Sequence, residues 1–242
     1  MELHDFRLYQ PGDDVRHLDW NAAARTGELV LRVRQEEVSP RVEVVLDTSA
    51  SMSVSPEKSA RSREVALLLC LAAQRAGHEA SLFTVGGRGR VVRGHDAGTA
   101  LEALALDGKE PFPEALRRAP ALRPCGLRVW VSDLLFESDV AGLARRLAQG
   151  ARGLAVVQVL DEEDLEPSGG AGARLTDAES QESLERILTR GVLDDYQRRL
   201  RAHLALWDEG LRTVRATLMR VSAAQGVDAL ARRELVPLWE AA

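Results

Sequence analysis

The sequence holds only two cysteines, Cys70 and Cys125, in 242 residues. One lies in an apolar helical pattern and the other beside a strand, so the expectation is two reduced thiols in a cytoplasmic protein rather than a disulfide or a metal pair. Lysine is equally scarce: Lys58 and Lys109 are alone among 32 basic residues. The net charge is −5 and the pI about 5.7. That excludes a nucleic-acid binder driven by phosphate contacts. The longest nearly unbroken apolar run, Val65 to Ala73, falls far short of the roughly 20 residues of a membrane span. The polar start MELHDFRLYQ gives no secretory signal pattern. The five histidines have no metal-ligand spacing, and no G-x-S-x-G elbow is present, which removes a serine hydrolase. Repeats and long linkers are also missing; the low-complexity stretch at 168–173 reads as a surface loop.

What is present is an ordinary globular composition, 45% hydrophobic and 29% charged, long enough to bury a core without staples. Strand and helix patterns alternate. Glu28 to Arg34 reads as a strand, and Val42 to Leu46 as a strand apolar on both faces, the mark of a central parallel strand. Ser55 caps a helix that Pro56 begins and Gly77 ends. Ala80 to Val85 is a strand, followed by a Gly-rich hairpin at 86–89 and a short strand, Arg90 to Arg93. A short helix follows from Ala97 to Leu106. Leu127 to Val131 and Leu154 to Leu160 are strands separated by an amphipathic helix from Val140 to Ala148. The acidic run from Asp161 to Glu166 reads as a solvated loop. A long helix from Val192 to Arg212 carries Tyr196, Leu200, Leu204, Trp207 and Leu211 on one stripe. A strand, Ala216 to Val221, and a helix, Val227 to Trp239, close the chain. The alternation predicts an α/β fold: a doubly wound, mostly parallel central sheet flanked by helices.

In such sheets, sites form at the carboxyl ends of the strands. Two predicted strands end in aspartate, at Asp47 and Asp133. Asp47 opens the run DTSAS, whose alternating spacing lets one carboxylate and the hydroxyls of Ser49 and Ser51 converge from one loop. Taken alone, D-x-S-x-S is a turn that satisfies its own backbone and caps the next helix. With Asp133 ending a second buried strand, the oxygen-only set favours a hard cation, Mg²⁺ or Mn²⁺.

The string VVLDTSASM, then a helix, then VWVSDLL, resembles a von Willebrand factor A domain with a metal-ion-dependent adhesion site. The N-terminal stretch is similar to the signature of the bacterial family known as domain of unknown function 58: Tyr9, Pro11, Gly12, Asp13, Arg16, Leu18, Asp19, Trp20, Ala24 and Arg25 match it, with Leu18 where Ile is usual. The resemblance implies a von Willebrand factor A-like (Rossmann-like) sheet at 41–242, with a family-signature segment at 1–40 packed on it. It also implies a non-enzymatic interaction module whose partner is a MoxR-type AAA+ ATPase or its client. It carries the metal ligands over as Asp47, Ser49, Ser51 and Asp133. The family's third-loop Thr is missing; the corresponding segment is Gly108 to Leu116, with Glu110 at that position. Either Glu110 supplies an oxygen or Lys109 reaches in and replaces the ion.

Arg16 and Arg25 are candidate partner contacts, whereas Asp19 and Trp20 are expected to pack as structure. Two alternatives remain. One is a metal-independent scaffold with a degenerate site. The other is a haloacid-dehalogenase-like phosphohydrolase, with Asp47 as nucleophile. That enzyme needs a second acid two residues on, where this chain has Ser49.

Overall fold

The computed structural model describes residues 5–9, 20–33, 41–86, 89–167, 173–176, 183–186, 189–233, 235 and 238. The chain divides into two compact units, residues 1–39 and 40–242.

In the first unit, β1 (Asp5–Leu8) pairs antiparallel with β2 (Val30–Val33), and α1 (Trp20–Thr26) lies between them in sequence. The expected strand from Glu28 is therefore shorter. Trp20, expected as packed structure, is 65% exposed on α1. Arg25 sits in the last turn of that helix and its Nε donates to the Asn21 carbonyl. Arg16 and Asp19 lie outside the described residues.

The second unit is built on a six-stranded sheet. Its strands are β3 (Val42–Asp47), β4 (Ala80–Val85), β5 (Arg90–Arg93), β6 (Cys125–Ser132), β7 (Ala151–Leu160) and β10 (Thr217–Ser222). Their spatial order is β10-β7-β6-β3-β4-β5, with every neighbouring pair parallel except β4 and β5. The antiparallel β5 follows a turn through Gly86 and Gly89, both with positive φ; positions 87 and 88 lie outside the described residues. β8 (Ala173–Thr176) and β9 (Ser183–Arg186) form a separate antiparallel pair.

Helices cover both faces of the large sheet, as expected for strands apolar on both sides. On one face, Val65, Leu69 and Ala73 of α2 (Pro56–Arg75), Leu101 of α3 (Ala97–Glu102) and Leu230 of α8 (Val227–Arg232) bury Val44, Leu46, Val129 and Val157. On the other, Phe112 and Leu116 of α4 (Phe112–Arg118), Leu143 and Leu147 of α5 (Val140–Ala148) and Trp207 of α7 (Arg190–Arg212) close over Val45, Trp130 and Val156. Aromatic rings anchor that second layer: Phe112 stacks on Trp130 at 4.6 Å between centroids, and Trp207 meets Trp130 edge-on at 5.6 Å. The chain is thus α/β and doubly wound around a mostly parallel sheet.

The sheet also buries one charged pair. Glu43 of β3 and Arg128 of β6 are opposite each other in register, with Arg128 Nε 2.8 Å from Glu43 Oε2. The remaining guanidinium donors go to the carbonyls of Leu147, Gln149 and Arg123, so Arg128 also caps the carboxyl end of α5. Cys70 and Cys125 are free and buried, and burial pushes the Cys70 thiol up to about 12.

Candidate functional site at the switch point of the sheet

The chain runs from β3 outward to β4 in one direction and returns to β6 on the other side of β3. The strand order therefore reverses between β3 and β6, where open α/β sheets form their binding crevices. Asp47 ends β3, and Ser132 and Asp133 end or follow β6. The expected residues are brought together here.

Asp47 is fully buried. Its Oδ1 accepts the Ser49 N–H at 2.9 Å, closing an Asx turn, and its Oδ2 accepts the Ser132 hydroxyl at 2.7 Å. Burial, and then the charge of Asp133, raise its carboxyl to about 7. The Ser49 and Ser51 hydroxyls lie 3.0 Å apart. Four further hydrogen bonds hold the loop. Thr48 donates both its N–H and its hydroxyl to the Val85 carbonyl. Gly108 donates to Thr48 O at 3.0 Å and accepts from Ala50 N at 2.9 Å. Gly108 is thus a rung against Ser49, and a Cβ there would stand 2.9 Å from Thr48 O. After Asp133 the backbone turns through Leu134, at φ 58, with its N–H held by Ser132 Oγ. A buried non-glycine in that region costs about 1–3 kcal/mol and marks an over-determined turn.

The residue that sequence reasoning missed is Lys58. Ser55 does cap α2, accepting the Lys58 N–H at 3.0 Å, and Pro56 does begin it. Lys58 therefore stands in the first turn of a helix, the end at which the backbone dipole disfavours a cation. Its side chain is nevertheless buried, with Nζ 2.9 Å from Asp133 Oδ2 and 2.8 Å from Asp164 Oδ2. Burial works to lower this ammonium's pKa, but the charges of Asp133 and Asp164 and their hydrogen bonds outweigh it and raise it. Asp164 belongs to α6 (Glu162–Leu165), a single turn where a solvated loop was expected. A capping box with Asp161 fixes it, Asp164 Oδ2 also accepting the Asp161 N–H at 2.8 Å. Tyr196 of α7 donates to the Asp164 carbonyl at 2.6 Å, and Ser55 donates to Asp161 Oδ2. The loop after β3, the start of α2 and the ends of β6 and β7 are thus tied into one polar network.

The third-loop residues take other partners. Glu110 pairs with Arg118 of α4, and Lys109 lines a surface cleft of about 360 Å³ with Gly86 and Gly108. Of the two lysines, the one that delivers an ammonium to the strand ends is Lys58.

Whether these residues fit a divalent ion turns on Asp133. Its Oδ2 holds Lys58 and its Oδ1 accepts the Leu135 N–H at 3.1 Å. A divalent ion about 4 Å from that ammonium would be repelled by about 8 kcal/mol at an effective dielectric constant near 20. Among the described residues no group of three His, Cys, Asp or Glu side chains could hold a metal ion. The set as arranged fits an ammonium and does not fit a divalent ion held by Asp133.

Residues 5–205 match the family described as "Protein of unknown function DUF58". The chain belongs to that family. Uncharacterised proteins of Mycobacterium bovis and Mycobacterium tuberculosis are 30% identical to it over 222 residues, which cover 84% of this chain and 69% of theirs. Among solved structures, a conserved hypothetical protein BatB from Bacteroides thetaiotaomicron overlaps with a TM-score of 0.45 at 14% identity, over 83% of this chain and 99% of that one. An aerotolerance-related membrane protein from Bacteroides fragilis gives the same TM-score and identity over 82% of this chain and 99% of its own. Among the described residues, no helix is long and apolar enough to cross a membrane.

Proposed function

We propose that this DUF58 chain is a non-enzymatic protein-interaction module of the von Willebrand factor A-like type. It works in the cytoplasm with a MoxR-type AAA+ ATPase, or with that ATPase's client, in protein assembly or maturation. The observation that carries the reading is the closure of the strand-end site. Asp47 has both oxygens engaged and no exposed surface, so it does not reach a phosphate as a nucleophile would, and Ser49 offers no second acid. This counts against a phosphohydrolase.

The same closure favours the metal-independent form of the module over capture of a partner's carboxylate by Mg²⁺ or Mn²⁺ at Asp47, Ser49, Ser51 and Asp133. Recognition then falls to the rim. Val54 and Leu165 are 55% and 39% exposed. They sit on the two segments that Lys58, through Asp164, and Ser55, through Asp161, tie together. Apolar side chains on a hydrogen-bonded, preorganised rim bind with little ordering cost. Arg25, exposed on α1, is a further candidate contact.

The test is binding to the MoxR-type ATPase encoded in the same genome, measured by biolayer interferometry. Val54→Asp/Leu165→Asp should weaken it at least tenfold while Asp47→Ala leaves it intact. Binding lost in Asp47→Ala and kept in the rim variant would overturn the metal-independent form, and a wild type that does not bind would overturn the partner.

A further inference from the structure

We infer that the Lys58 ammonium is the resident cation of the strand-end site, standing in for a divalent ion, and that a chain without it acquires a divalent-cation site on Asp133 and Asp164. The inference concerns the site alone and holds whatever partner the module binds.

Three observations support it. The first is where the ammonium lies. It bridges two carboxylates from different strand ends at 2.9 and 2.8 Å. The second is that this position is costly for a lysine. A cation in the first turn opposes the helix dipole, and a buried ammonium surrenders its hydration. A lysine whose only task was helix formation would point to solvent. The third is the charge balance. Two carboxylates share one positive charge, so the cluster keeps one net negative charge even before Asp47 is counted. A divalent ion in the same place would neutralise both carboxylates. Asp164 is prebuilt for this by its capping box and by Tyr196, and Asp133 by the Leu135 N–H and by Gln158, which donates to the Asp133 carbonyl at 2.8 Å. Removing the ammonium leaves these supports in place.

Lys58→Met keeps the length and removes the charge. Thermal unfolding of the full chain is followed in 5 mM MnCl₂, in 5 mM MgCl₂ and in NaCl of equal ionic strength. The wild type should shift by less than 1 °C between salts. In NaCl, Lys58→Met should unfold about 10 °C lower. Mn²⁺ should recover at least half of that loss, and Lys58→Met/Asp133→Asn should lose the recovery. Lys58→Gln, which keeps a donor for the carboxylates without the charge, runs in parallel in case the Met variant does not fold. The inference is overturned by a folded Lys58 variant silent to both ions, by two variants that refold neither with nor without Mn²⁺, or by a wild type whose melting temperature rises in Mn²⁺ and ceases to do so in Asp133→Asn.

Discussion

Lys58 Nζ lies 2.9 Å from Asp133 Oδ2, and neither side chain has appreciable contact with solvent. The pair joins the first turn of α2 to the end of β6 across the place where the strand order reverses. Removing one member of a buried pair strands the other, at a cost of about 3–5 kcal/mol, whereas the whole pair adds little over an apolar replacement. Lys58→Met/Asp133→Leu should therefore recover much of the stability lost in Lys58→Met, as read by urea denaturation. A double variant as unstable as the sum of the singles would show that the two residues act independently.

Asp47 gives the fold a pH dependence of definite sign. Its carboxyl is raised from 3.8 to about 7 by burial and by Asp133. Between those values the folded chain holds a proton that the unfolded chain has released, so the contribution is complete below about pH 4 and is lost as pH rises through about 7. Asp47→Asn cannot ionise and should be relatively more stable than wild type at pH 8 than at pH 5. Denaturant midpoints of both proteins at the two pH values measure this, and a difference that is the same at both would contradict it.

The Glu43–Arg128 pair is structural. Arg128→Met strands a buried carboxylate and frees the carbonyls at the end of α5, so it should cost about 3–5 kcal/mol in denaturant unfolding. Glu43→Leu/Arg128→Met should cost less than Arg128→Met.

Gly108→Ala places a Cβ 2.9 Å from Thr48 O and 3.2 Å from Ser49 Cα, both backbone atoms. The rung between Gly108 and Ser49 must open, at about 1–3 kcal/mol. Amide hydrogen exchange at Ala50, whose N–H donates to the Gly108 carbonyl, should accelerate, while exchange in β7 is unchanged.

The strand-end aspartates and the DTSAS loop were legible in the sequence because a strand buried on both faces leaves few places for a carboxylate except its end. The α2 boundaries were legible for a similar reason, since Ser55, Pro56 and Gly77 are each local signals. Lys58 was not. Its partners are 75 and 106 residues away, and no local rule marks a buried ammonium. The available hints were the scarcity of lysine and a positive charge where the helix dipole disfavours it. Asp164 was read as solvated because acidic runs usually are; its capping box depends on a turn that forms only where β7 ends. Gly108 approaches Thr48 closely, a contact that no local pattern marks. Trp20, expected to pack as structure, stands exposed on α1.

We infer an internal ammonium, and no divalent ion, in the cluster at the ends of β3 and β6. Calorimetric titration of the wild-type chain with Mg²⁺ and Mn²⁺ tests it most directly. The expected result is only heats of dilution up to millimolar ion. Saturable binding that disappears in Asp47→Ala would contradict it and restore the adhesion-site reading.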